Sequence, residues 1–117
     1  MALKSNPPSK VISPKKNVKN VTVLYDGGTG HGCYSVAKLK WNKKDVIGVR
    51  WNVSENEVNN AEKISGKKVC LGEPNSRGYS TWFVIPDALL IVLIKGGENG
   101  KEKALQDELR RYLEEEK

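Results

Sequence analysis

The sequence predicts an α+β protein: an antiparallel β-sheet or small open β-barrel with one or two packed helices, ending in an amphipathic C-terminal helix. Three observations carry this. Short runs of alternating apolar and polar residues recur between residues 20 and 52, separated by Gly-, Asn- and Lys-rich turns. Residues 79–85 are dominated by aromatic and β-branched side chains, which suit a pleated surface. Ala104, Leu105, Leu109, Tyr112 and Leu113 fall on one face of a helix.

Taken in order, residues 1–19 contain Pro7, Pro8 and Pro14 and little that could pack, so they read as a flexible basic arm. Residues 20–117 read as one β-rich domain. Residues 20–26 alternate as a first strand. Asp26-Gly27-Gly28-Thr29-Gly30-His31-Gly32 then supplies the positive-φ positions of a hairpin connection. In the strand from Cys33 to Trp41, Ala37, Leu39 and Trp41 share one face and Lys38 and Lys40 the other. After a polar turn at 42–45, a third strand puts Ile47, Val49 and Trp51 on one face and Arg50 and Asn52 opposite. The short loop makes the two an antiparallel hairpin.

Residues 53–66 fit a short helix or an irregular excursion. Ser54 and Glu57 have the spacing of a capping box. Residues 67–71 suit a short strand, and 72–78 a turn-rich loop. Pro86-Asp87 opens a new element, helix or buried strand, over the apolar run 88–94. The acidic Glu114-Glu115-Glu116 opposes the dipole of the final helix.

A chain of 117 residues is one domain's worth and needs no disulfide framework, which Cys33 and Cys70 could not supply in any case. No apolar stretch approaches the ~20 residues of a membrane span. The N-terminal lysines are not followed by an apolar region, so no secretory signal and a cytoplasmic location are expected. Net charge is +6, and Lys4, Lys10, Lys15, Lys16 and Lys19 contribute five of those charges before residue 20. Such an arm raises association rates with polyanions, and is equally an ordinary solubilising tail.

Catalytic signatures are missing. The glycine loop lacks the Gly-Lys-Ser/Thr ending of a phosphate loop and the spacing of a dinucleotide fingerprint. His31, the single histidine, has no readable partner. The expectation is therefore a binding protein without enzymatic activity, cofactor or metal. The constellation that remains is basic and aromatic. Lys38, Lys40 and Arg50 are expected on the outward face of the hairpin, Lys43 and Lys44 in its turn, and Arg77 in a neighbouring loop. Trp82 alternates with Phe83, so one of the two must leave the core, and Trp82 is the candidate for an exposed contact. Cations neutralise phosphates and rings stack on bases, which is how nucleic-acid-binding sheets combine these types.

The segments 47–52 (Ile-Gly-Val-Arg-Trp-Asn) and 76–86 (Ser-Arg-Gly-Tyr-Ser-Thr-Trp-Phe-Val-Ile-Pro) resemble those of small uncharacterised bacterial or phage proteins. The order of elements across 33–94 is similar to that of the PC4-like transcriptional coactivators. That resemblance implies single-stranded DNA as ligand and a curved antiparallel sheet followed by a helix that helps form a dimer. It covers about half the chain and assigns no individual residue. The function expected from the residues is a nucleic-acid-binding module, with single strands a candidate ligand. The alternative is a small protein-interaction or inhibitor module, its last helix covering the sheet or pairing with a second copy.

Overall fold

The computed structural model describes residues 3–30, 32–90 and 103–115. The chain forms two compact units, Met1–Val84 and Ile85–Lys117, where the sequence suggested one body after an arm. The first unit is built on strands β1 (Val18–Asp26), β2 (Tyr34–Trp41), β3 (Lys44–Trp51), β4 (Asn75–Ser76), β5 (Tyr79–Ser80) and, as far as Val84, β6 (Phe83–Ile85). An open antiparallel sheet takes the order β1-β2-β3-β6, and β4 pairs with β5 in a second, two-stranded sheet.

The turn between β2 and β3 sets what each face of the sheet carries. Asn42 and Lys43 both take left-handed φ, +53° and +70°, and Trp41 pairs directly with Lys44. This two-residue connection matches the twist of the strands it joins. Directly opposed residues share a face. Ser35 therefore lies with Arg50, Ala37 with Gly48, and Leu39 with Val46. The other face pairs Tyr34 with Trp51, Val36 with Val49, Lys38 with Ile47, and Lys40 with Asp45. The alternation within each strand is as expected, but the joined faces are not. Arg50 shares its face with Ala37 and Leu39, and Lys38 shares its face with Ile47 and Trp51.

On the first face Val11, Val18, Ala37, Leu39 and Trp82 form a buried cluster, with Val21, Trp41 and Val46 packed against it. Gly48 is what admits the indole. A Cβ there would stand 2.9 Å from Leu39 Cδ2 and 3.0 Å from Trp82 Cβ. Trp82 is only 3% exposed and donates from Nε1 to the Val11 carbonyl at 2.8 Å. The expected strand at 79–85 is accordingly split. Thr81 and Trp82 leave the ladder so that the indole can enter the core, and Phe83 is the ring that stays out.

The N-terminal segment is not a free arm. Ser5 forms a parallel bridge with Cys70, whose N–H donates to the Lys4 carbonyl at 2.6 Å. Asn6 Nδ2 donates to Ser80 Oγ at 2.9 Å, and Thr81 Oγ1 to the Ser13 carbonyl at 2.6 Å. Val11 is buried while Ile12 stays exposed. One well-placed apolar side chain and a set of main-chain pairings secure a segment too lean in apolar residues to pack by composition alone. The strand expected at 67–71 reduces to that single bridge at Cys70. The Ser54–Glu57 capping box opens a 3₁₀ turn, Glu55–Glu57, followed by a short helix, Ala61–Ile64.

In the second unit residues 87–90 are helical, with the N–H groups of Leu89 and Leu90 donating to the Pro86 carbonyl. The rest of the 88–94 run lies outside the described residues. The C-terminal helix, Lys103–Glu115, buries Leu105, Leu109 and Tyr112, leaves Leu113 half-buried and exposes Ala104. Tyr112 donates its hydroxyl to Asp87 Oδ1 at 3.1 Å. Among the described residues no helix is long and apolar enough to cross a membrane.

If Trp82 anchors the N-terminal segment, Trp82→Ala costs ~3–5 kcal/mol in urea unfolding, the usual range for a large buried ring. Deleting residues 1–12 also lowers the midpoint. An unchanged midpoint on deletion would show that the segment does not pack.

Candidate nucleic-acid interface

The sequence-derived basic residues do not stay together. Lys40, Lys43 and Lys44 stand at the β2–β3 end of the sheet. Lys38 lies further along β2, half-buried, with Thr22 and Ile47 as its cross-strand neighbours. Arg77 is exposed in the β4–β5 turn at φ +52°. Arg50 and Trp82 are each only 3% exposed and belong to the interior, so neither can touch a macromolecular ligand.

Three further lysines join the cluster at the end of the sheet. Residues 14–17 form a turn in which the N–H groups of Asn17 and Val18 donate to the Pro14 carbonyl, both at 2.9 Å. That turn is fastened to the β2–β3 turn. The Asn42 N–H donates to the Asn17 carbonyl at 2.9 Å, and Asn17 Nδ2 donates to Asn42 Oδ1. Lys15 and Lys16 are thereby brought to the same end as Lys43 and Lys44, all four exposed. Lys19 is paired opposite Lys40 on β1 and is exposed as well. Lys40 meets Asp45 at 3.0 Å, with both side chains partly in solvent, so the pair adds at most about 1 kcal/mol. The sequence signal for Lys15 and Lys16 was Pro14 and Asn17, both turn-forming residues, on either side of them.

Arg50 serves the fold. Its Nη1 donates to the carbonyls of Pro74, at 3.2 Å, and Thr81, and its Nη2 to that of Leu71. The guanidinium lies 6.0 Å from the centre of the Trp82 ring, within cation–π range. Burial pushes its pKa down to about 10, and the charge of Glu57 offsets part of that shift. Glu57 in turn holds the facing loop. Its carboxylate accepts from Ser54 N at 3.0 Å, Leu71 N at 2.7 Å and Gly72 N at 2.9 Å, and meets Lys63 Nζ at 3.1 Å. Burial raises the Glu57 pKa, but these hydrogen bonds outweigh it and hold the group below the ordinary carboxylate value.

At the opposite end of the sheet the glycine loop is closed on itself. Asp26 Oδ1 accepts from Gly28 N at 3.0 Å and from Asn52 Nδ2 at 3.1 Å, and Asn52 also donates to the Gly28 carbonyl at 2.7 Å. Ser35 Oγ donates to Asn52 Oδ1 at 2.7 Å. The Gly28 N–H therefore faces a carboxylate, as suits a hairpin connection and not a phosphate cradle. His31 lies outside the described residues. Among the described residues no group of three or more His, Cys, Asp or Glu side chains is placed to hold a metal ion.

Comparison of the chain with protein-family models, with curated proteins and with solved structures gave no match.

The Arg50–Glu57 arrangement sets an acid dependence. A carboxylate with a lowered folded pKa contributes its full stability above the unfolded value and loses it as pH falls through the folded one. Wild-type protein should therefore lose stability on acidification more steeply than Glu57→Gln, read as urea midpoints from neutral pH downwards. Arg50→Ala should cost roughly 3 kcal/mol or more, because each part-buried carbonyl of Leu71, Pro74 and Thr81 that it leaves unpaired costs about 1–3 kcal/mol. A loss typical of a surface substitution would rule that role out.

Proposed function

We propose that this protein is a nucleic-acid-binding module that grips phosphates through the lysine-rich end of its sheet. One observation carries the reading: the Asn17–Asn42 junction sets Lys15 and Lys16 beside Lys43 and Lys44, with Lys19 across from Lys40. Five exposed lysines held on two hydrogen-bonded turns and a strand form a fixed positive surface. Closely spaced cations of this kind displace the counterions condensed on a polyanion, and the released ions drive binding. Lysine contacts to phosphate position the nucleic acid without reading its sequence, so recognition is largely sequence-independent. With Trp82 in the core, the base-stacking contact expected of it drops out, and a preference for single strands rests on the order of elements alone.

The alternative, a protein-interaction module, draws support from a different surface. Tyr79 and Phe83 are 66% and 55% exposed, and exposed rings are what a protein-docking surface would use.

Titration of labelled single- and double-stranded oligonucleotides at two salt concentrations separates the two. The nucleic-acid reading expects affinity that falls steeply with salt. Lys43→Gln/Lys44→Gln should lower the slope of log affinity against log salt by about 2, one for each phosphate no longer neutralised. Lys67→Gln/Lys68→Gln, elsewhere on the surface, should leave it nearly unchanged. Affinity that is absent, or that falls equally in both double variants, would sink the proposal and favour the protein-binding alternative.

A further inference from the structure

We propose that a cavity at the other end of the sheet binds an organic cation, an ammonium or guanidinium group carried on an apolar stem. The cavity measures about 480 Å³ and is lined by Gly32, Trp51, Val53, Glu55, Asn56 and Glu73, with Ser54 between them. It lies within the first unit, at the end of β3 opposite the β2–β3 turn, so a strand of eight residues, about 25 Å, separates it from the lysine cluster. It is therefore independent of the proposed nucleic-acid surface.

The wall of this cavity is constructed around one ring and one charge. Trp51 and Glu73 exchange both main-chain hydrogen bonds, Trp51 N to the Glu73 carbonyl at 2.8 Å and Glu73 N to the Trp51 carbonyl at 3.0 Å. Residues paired in this way project to the same side, so the Glu73 and Trp51 side chains leave the backbone as neighbours and both line the cavity. The pairing depends on Gly72. At φ +67°, a Cβ there would stand 2.1 Å from the Trp51 carbonyl oxygen and 2.7 Å from that of Asn52. Tyr34 meets the indole edge-on with centroids 6.3 Å apart, and buried Asn52 follows it in the chain. Trp51 is thus held in place on several sides and still 49% exposed.

An immobilised, accessible indole beside a carboxylate is matched to a cation by two effects at once. The ring's quadrupole attracts positive charge over its face, and the carboxylate adds a direct Coulombic attraction. The half-exposed indole also supplies apolar contact for the stem. The charge of the wall argues against an anion. The chain carries 20 Lys and Arg, yet among the described residues lining the cavity there is none, while the exposed Glu73 is present. A bare metal ion fits less well, because no set of three acidic, His or Cys ligands converges among the described residues. An alkylammonium or guanidinium group uses the ring and the carboxylate together. It can come from a free amine or from a Lys or Arg side chain of a partner.

The three indole N–H signals of the ¹⁵N-labelled full-length protein provide the test, with Trp51 assigned by Trp51→Leu and the buried Trp82 as internal control. The probes are tetramethylammonium, n-butylammonium, a short capped peptide with one central lysine, and the neutral isostere n-butanol. The proposal expects a saturable shift of the Trp51 signal with the cations and none of comparable size with n-butanol. Glu73→Gln, a change at an exposed position, should weaken binding roughly tenfold with the spectrum otherwise preserved. Binding of the small amines identifies a free amine as sufficient, and binding of the peptide alone identifies a side chain presented by a partner. Equal shifts with n-butanol, no saturable shift with any cation, or undiminished affinity in Glu73→Gln would each overturn it.

Discussion

Arg50 carries a charge to a position only 3% exposed, and much of the first unit is arranged around pairing its two terminal nitrogens, while its Nε has no hydrogen-bond partner among the described residues. A guanidinium removed from water must find replacement partners or it strongly opposes folding. Here the partners are main-chain carbonyls of Leu71, Pro74 and Thr81, three points on a stretch with little regular structure of its own. Satisfying the charge therefore fixes the loop. The loop's N–H groups at Leu71 and Gly72 are taken by Glu57, so the acid and the base hold the same segment from its two sides. Trp82 follows directly after Thr81 and lies over the guanidinium, and through its Nε1 the N-terminal segment is fastened at Val11. Glu73 sits within the clamped stretch, which is why its pairing with Trp51 is defined.

The open α+β architecture was legible in the sequence because it rests on local signals. Alternation gave the strands, glycine and asparagine gave the turns, and helical periodicity gave the face of the last helix. The faces of β2 and β3 were each read correctly and then joined wrongly. An even-numbered turn pairs odd positions of one strand with even positions of the next. Arg50 had to share a face with Ala37 and Leu39 whether the turn held two residues or four. That information was present. What the sequence did not display was the partner set of Arg50, because backbone carbonyls exist at every position and leave no mark on residue type. Trp82 illustrates the same limit. Its alternation with Phe83 showed that one ring must face out, but the choice depended on Gly48 leaving room across the sheet.

The candidate site was partly legible for a related reason. Lys40, Lys43 and Lys44 are neighbours through one hairpin, and a hairpin can be read locally. Lys15 and Lys16 join them through the contact between Asn17 and Asn42, 25 positions apart, which no periodicity encodes. The cavity beside Trp51 was invisible for a stronger reason. Its two defining residues, Trp51 and Glu73, come from a strand and from a loop that reaches it only because Gly72 lacks a side chain. The result is a unit whose sheet has opposite character at its two ends: lysine-rich at the β2–β3 turn, aromatic and acidic beyond β3.

The bond from Trp82 to Val11 joins positions 71 apart, so the first and last parts of the unit meet in its core. A chain synthesised from its N-terminus can close the β1–β2–β3 meander early, since those pairings are between neighbours in sequence. The part of that face around Leu39 and Gly48 lacks its cover until Trp82 has emerged. For that interval part of the apolar face of the meander is uncovered, the kind of exposure that makes an incomplete chain prone to aggregation.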